Sequence, residues 1–210
     1  MKIKRVKKIF QLLLKVSVIK TVYFSLRFKG LILMSRHAKL VVERGAKISL
    51  PKGGMLSVGL EYNSPVANTV IFLDEYSELR LRGHVALKRG VNVSLAKNAK
   101  LHIGENTFIN EGSKIFIYKE CIIGNSCAVS FDVIITDSDV HRFNGNNSTL
   151  KVVIEDNVWI GFRSSVIKGA HIKSGSVIAC HSVVKGTVEQ DSLAAGNPVK
   201  SVKSPIQWER

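Results

Sequence analysis

Residues 154–189 read IEDNVW IGFRSS VIKGAH IKSGSV IACHSV VKGTVE, six hexads in a row. Each opens on an aliphatic residue: Ile154, Ile160, Val166, Ile172, Ile178 and Val184. Four positions after these stand Val158, Ser164, Ala170, Ser176, Ser182 and Val188, most of them small. Neither ordinary period gives this pattern. On a helix six residues turn about 240°, which scatters the aliphatic positions over three sides, and a plain strand alternates with period two. The six-residue step predicts short strands separated by bends, and Asn157, Gly169 and Gly175 supply bend residues that tolerate positive φ. Units this short stack as a parallel β-helix whose coils bury one continuous apolar column. A sandwich with Gly-rich turns would space its turns less evenly.

At 210 residues, 45% hydrophobic and 22% charged, the chain suits one domain with a sizeable core plus an appendage. The net charge of +15 suggests nucleic acid until it is located: residues 1–42 hold eleven Lys or Arg and no acid. Aromatic residues are few and no basic stripe crosses the repeats, which argues against nucleic-acid binding. Cys121, Cys127 and Cys180 are odd in number and lack zinc spacing, so they read as reduced thiols of a cytoplasmic protein.

The opening MKIKRVKKIFQLLLKVSVIKTVYFSLRFK predicts a basic amphipathic helix over residues 1–30. Its apolar run, broken by Gln11 and Lys15, is far short of the roughly 20 residues a spanning helix needs, and no small-residue cleavage site follows. Two readings stay open for residues 1–29: peripheral contact with an anionic membrane surface, or packing on the β-helix end or a neighbouring subunit. The β-helix is expected over 31–203 and a tail over 204–210. The hexad rhythm is faint at Leu40, lost through Pro51–Glu78, and slips again between Val93 and Ile103 and before Ile123, which predicts loops or imperfect coils and an atypical N-terminal cap.

One long polar interruption, residues 136–152, separates strong repeats, the layout of a working loop on a stiff scaffold. His141 lies in it. Imidazole titrates near neutrality and can take a proton from a hydroxyl or amine, and Asp137 or Asp139 stands close enough in sequence to orient the ring.

Three motifs carry a family resemblance. His141-Arg142-Phe143-Asn144-Gly145 resembles the His-Arg-Met-Asp-Gly loop of xenobiotic acetyltransferases, Asn157-Val158-Trp159-Ile160-Gly161 the motif after that loop, and Ala194-Ala195-Gly196-Asn197-Pro198 the Ala-Ala-Gly-Xaa-Pro motif of galactoside, maltose and serine acetyltransferases. The chain is thus similar to the hexapeptide-repeat acyltransferases. The resemblance implies an all-β, left-handed parallel β-helix with three hexads per triangular coil, and a homotrimer with sites between subunits. It also implies a loop histidine that deprotonates the acceptor for direct attack on acetyl-CoA, with no metal. Carried over by position, Trp159, Gly161, Phe162, Cys180, Lys185, Lys200 and Lys203 would meet the coenzyme, the two last near its phosphates. Asn110 falls where the galactoside enzymes place a sugar-binding asparagine, but Tyr118 stands where they have an aspartate, so a different acceptor is expected.

The basic N-terminus and the resemblance to capsule-cluster enzymes point to a polysaccharide or lipid-linked precursor as acceptor, acetylated at the inner face of the cell membrane. N-acetylation of an amino sugar or antibiotic, and a silent scaffold, are the competing functions. A zinc site of the γ-carbonic-anhydrase kind needs three convergent histidines; His171 and His181 are out of phase with one coil.

Overall fold

The computed structural model describes residues 15–60, 68–142, 144–146 and 148–209. Sheet one contains β1 (Leu31–Met34), β4 (Met55–Val58), β7 (His84–Leu87), β10 (Thr107–Ile109), β13 (Ala128–Val129), β16 (Trp159–Ile160), β19 (Val177–Ile178) and β22 (Leu193–Gly196). Sheet two contains β2 (Lys39–Val42), β5 (Val70–Leu73), β8 (Asn92–Leu95), β11 (Lys114–Ile117), β14 (Ile134–Thr136), β17 (Ser165–Val166) and β20 (Val183–Val184). Sheet three contains β3 (Lys47–Ser49), β6 (Glu78–Leu81), β9 (Lys100–Ile103), β12 (Glu120–Ile123), β15 (Val152–Ile154), β18 (His171–Ile172) and β21 (Thr187–Val188). Every third strand returns to the same sheet and pairs in parallel, so the chain winds a three-sided parallel β-helix. An antiparallel strand, β23 (Val199–Lys203), closes sheet one.

The opening aliphatic residues of the hexads Ile154 to Val184 are fully buried, as are the small residues that follow them from Val158 to Ser182. Serine suits these corners because its hydroxyl reaches the next coil: Ser164 Oγ donates to Ala179 O at 2.9 Å and Ser176 Oγ to Glu189 O at 2.7 Å. Buried hydroxyls are thereby satisfied. Asn157, Gly169 and Gly175 have φ of 55°, 75° and 73°, as the bends require. Arg163 and His181 adopt the same left-handed conformation at 55° and 58°.

The upstream coils differ from expectation in an instructive way. Leu87 pairs with Ile109, a coil of 22 residues, whereas Ile160 pairs with Ile178, a coil of 18, and Ile178 with Ala194, one of 16. The wide coils place two inward residues on each side, as in Val85 and Leu87, Val93 and Leu95, or Leu101 and Ile103, all buried. Period two within each side blurs the period of six. The slips around Val93 and Ile123 are therefore broad coils in register. Likewise Met55–Val58 and Val70–Leu73 are regular strands, paired on both edges, and not part of an irregular cap.

A helix, α1 (Val18–Arg27), lies against the first coil. The first fourteen residues of the basic segment lie outside the described residues. The outer edge of β1 would leave amides unpaired, and α1 answers them: Ser25 Oγ accepts Ile32 N at 3.0 Å and Thr21 Oγ1 accepts Met34 N at 3.0 Å. Phe24 and Phe28 pack on the end of the apolar column. No described helix is long and apolar enough to cross a membrane.

Candidate active site

Two edges of the prism carry the candidate residues. On the edge between sheets one and two, the turns after Ile109, Val129, Ile160 and Ile178 stack. Trp159 points outward, 42% exposed, with Nε1 donating to Ser130 Oγ at 3.1 Å. Its ring lies 5.9 Å from that of Trp208, which the tail returns to this face by donating Nε1 to Asn157 O at 2.9 Å. A Cβ on Gly161 would stand 2.6 Å from Ile178 O and 2.7 Å from Cys180 N, so glycine is required here for the next coil to approach. Phe162 meets His181 edge-on at 5.7 Å, and Cys180 is exposed beside them.

Below Phe162 runs a cleft of about 240 Å³ lined by Arg89, Gly90, Glu111, Gly112, Phe131 and Asp132. Asn110 begins one of its turns, its amide held by Val129 O at 2.9 Å. Glu111 Oε1 is buried in the described structure with no hydrogen-bond partner, and a buried acceptor left unpaired asks for a donor. Glu111 carries no local mark in the sequence, because a lone acid in a polar turn resembles any solvated turn. Lys200 and Lys203 stand on β23, opposite Ala195 and Leu193, at the C-terminal end of the same sheet as Trp159.

The polar loop leaves the edge between sheets two and three. Its ends are tied together: Leu150 N donates to Asp137 O at 2.9 Å, Asp139 N to Ser148 O at 2.8 Å, and the Ser138 and Thr149 hydroxyls meet at 2.9 Å. Beyond this clasp the chain makes a tight turn at Val140, whose φ is 63°. His141 N donates to Asp139 O at 2.6 Å across it, and Ser138 Oγ accepts Val140 N at 2.9 Å. A three-residue turn of this hand is rare and strained, more so for a β-branched residue. It carries His141, exposed, at the head of the loop.

The two aspartates do other work than the sequence suggested. Asp137 is fully buried, with Oδ1 accepting Tyr118 N at 2.8 Å and Oδ2 accepting Lys119 N at 2.8 Å and Glu120 N at 2.7 Å. Those amides turn the corner where the next coil departs into the loop, and the carboxylate replaces the missing strand. With both oxygens so occupied, Asp137 supports the loop root and does not orient the imidazole. Asp139 pairs with Lys168 from the coil above. Lys185 also differs from expectation: it lies in the turn between β20 and β21, on the loop's edge, a sheet away from Trp159 and Cys180. Tyr118 shares the loop's edge, 43% exposed.

His171 faces Glu155, Nε2 to Oε1 at 2.6 Å, and Glu155 Oε2 accepts Ser174 N and Oγ, each at 3.0 Å. The His171 bond, with the Ser174 bonds after it, holds the Glu155 carboxyl below its ordinary 4.5. A depressed carboxylate pKa stabilises the fold fully above the unfolded value, and the gain is lost as pH falls through the folded one. Glu155→Gln is therefore expected to lower the melting temperature at neutral pH, where the contribution is complete, and to lose less than the native protein does as pH falls below about 4.5, so that the two profiles converge in acid. Among the described residues, no three His, Cys, Asp or Glu converge as metal ligands.

No protein-family model matches the chain. It is 29% identical over 191 residues to an uncharacterised 24.8 kDa protein of the cps region of Klebsiella pneumoniae, covering 89% of this chain and 85% of that one. To the polysialic acid O-acetyltransferase of Escherichia coli O1:K1 it is 33% identical over 137 residues, covering 62% of this chain and 45% of the relative, so it spans less than half of that protein. The crystal structure of a polysialic-acid-specific acetyltransferase superposes with a TM-score of 0.54 at 26% identity, covering 83% of this chain and 85% of that one. The fold is the left-handed β-helix. Its homologues are hexapeptide-repeat acetyltransferases, and the solved structures it resembles are left-handed β-helix acetyltransferases.

Proposed function

We propose that this protein is an acetyl-CoA-dependent O-acetyltransferase. In this reading it acts on a sugar hydroxyl of a cell-surface polysaccharide or its lipid-linked precursor, at the cytoplasmic face of a membrane. The observation that carries the reading is the clasped loop, which lifts His141 off a rigid stack on a strained turn. His141 takes the proton of the acceptor hydroxyl as its oxygen attacks the thioester carbonyl. The C–O bond forms, the C–S bond breaks, and the imidazolium returns the proton to the departing thiolate. Backbone amides along the Trp159–Cys180 edge bond the pantetheine and the developing oxyanion, and Lys200 and Lys203 meet the phosphates.

Within one chain the loop and the Trp159 wall sit on different edges, separated by sheet two, roughly 13 Å for four residues. A cyclic homotrimer sets the loop edge of one protomer against the wall of the next, which supports the trimeric reading. Mixing His141→Ala protomers with protomers whose wall is blocked by Cys180→Trp tests this. In randomly mixed trimers about one quarter of sites regain both halves, so activity should return on mixing two inactive proteins. Absence of recovery, with mixed trimers present by native mass spectrometry, would place the whole site in one chain.

A further inference from the structure

α1 turns two unlike faces to its surroundings. Thr21, Phe24, Ser25 and Phe28 point at the first coil, where the two hydroxyls receive the amides of β1 and the rings cover the column. Around the opposite side run Val18, Ile19, Val22, Tyr23 and Leu26, exposed by 65%, 83%, 52%, 55% and 75%. At 100° per residue these five form one stripe. A stripe of large apolar side chains in water marks a contact surface. Because α1 takes the place of a rung beneath β1, that stripe faces away from the prism along its length.

The surroundings of the stripe identify what it meets. Between Lys15 and Val42 the chain carries Lys15, Lys20, Arg27, Lys29, Arg36 and Lys39 and no acid. Lys20 Nζ bonds Arg36 O and Ala38 O at 2.9 and 2.8 Å, which fixes the helix and its charges on the end of the coil. An apolar stripe bordered by cations alone fits the surface of an anionic bilayer, where side chains enter the acyl boundary and lysine and arginine meet headgroup phosphates. We infer that the outer face of α1 docks the prism end-on to an anionic membrane.

End-on docking fixes a height. The loop bearing His141 leaves the fifth coil, four steps above β1 in the order β1, β4, β7, β10, β13. At about 4.8 Å per step the loop root stands roughly 19 Å above the first coil. The hydroxyl it reaches then belongs to sugars well out along a lipid-linked glycan, not to the sugar next to the lipid phosphate. The reach rests on the reading of His141 given above; the docking surface does not.

The test uses the full chain and vesicles of phosphatidylcholine with and without 25% phosphatidylglycerol. Native protein should sediment with the anionic vesicles and be released by high salt, and Ile19→Gln/Leu26→Gln should bind at least tenfold more weakly at an unchanged melting temperature. Equal binding by the double variant, or equal binding to neutral vesicles, overturns the docking face. A drop in oligomer mass on the same substitutions, without loss of vesicle binding, assigns the stripe to a second copy and overturns it as well. With acetyl-CoA present, the double variant should acetylate a soluble glycan at the native rate and a vesicle-borne one more slowly. No acetylation of either by the native protein would instead defeat the transferase reading and leave the vesicle result standing.

Discussion

His141→Ala is expected to lower turnover with acetyl-CoA by about 10²–10⁴-fold, the usual contribution of a positioned base. A sugar hydroxyl is too weak an acid to attack a thioester unaided at neutral pH, so removing the proton acceptor strikes the chemical step. Binding of acetyl-CoA should persist, because Trp159, Phe162 and Cys180 belong to another edge of the prism. The melting temperature should hold too, since His141 is exposed and its bond to Asp139 is made by the backbone. Val140→Gly offers a graded companion. Glycine accepts a φ of 63° without strain, so the fold is expected to be at least as stable, while the freed histidine loses about tenfold in turnover through misplacement. Loss of stability together with activity in either variant would mean that the loop is a structural element. Near-native turnover of His141→Ala would assign the base elsewhere.

Asp137→Ala should be the most damaging change to the fold outside the apolar column. Three amides, those of Tyr118, Lys119 and Glu120, lose the carboxylate that accepts them at a corner where no strand of the next coil lies. Each unsatisfied buried group costs about 1–3 kcal/mol. Allowing for water entering the corner, a loss of about 3 kcal/mol is expected, or roughly 6–12 °C in melting temperature for a chain of this size. Asp139→Ala breaks a half-exposed pair with Lys168 and is expected to cost under about 1 kcal/mol. Scanning calorimetry of the two variants separates the roles of residues that the sequence presents as equivalent.

That pair shows where sequence reading stops. Hexads from Ile154 to Val184 announce the coil because each side there has one inward residue, and the period survives intact. Upstream, coils of 22 residues add a second inward residue per side, and a period of two overwrites the six. The loop was legible as a polar break from residue type, and the proposal of its histidine as a base rests on residue type and motif. What Asp137 and Asp139 do was not, because burial is decided by which corner the next coil vacates. Glu111 and Trp208 were invisible for a similar reason: one is buried by turns from other coils, the other is returned to Trp159 by a tail whose course no local pattern states. Lys185 fell on the wrong edge because adjacency in a β-helix follows the coil length, which narrows along this chain.

Transfer of acetyl from acetyl-CoA to a sugar hydroxyl is tested most directly by incubating the full chain with acetyl-labelled acetyl-CoA and a panel of glycans, lipid-linked oligosaccharides, amino sugars and antibiotics. Label is expected on a glycan, released by mild base as an ester is, and accumulating about 10²–10⁴-fold more slowly when His141 is replaced by Ala. Label that resists base would make the product an amide, and no label with any acceptor, alongside no saturable acetyl-CoA binding, would make the β-helix a scaffold.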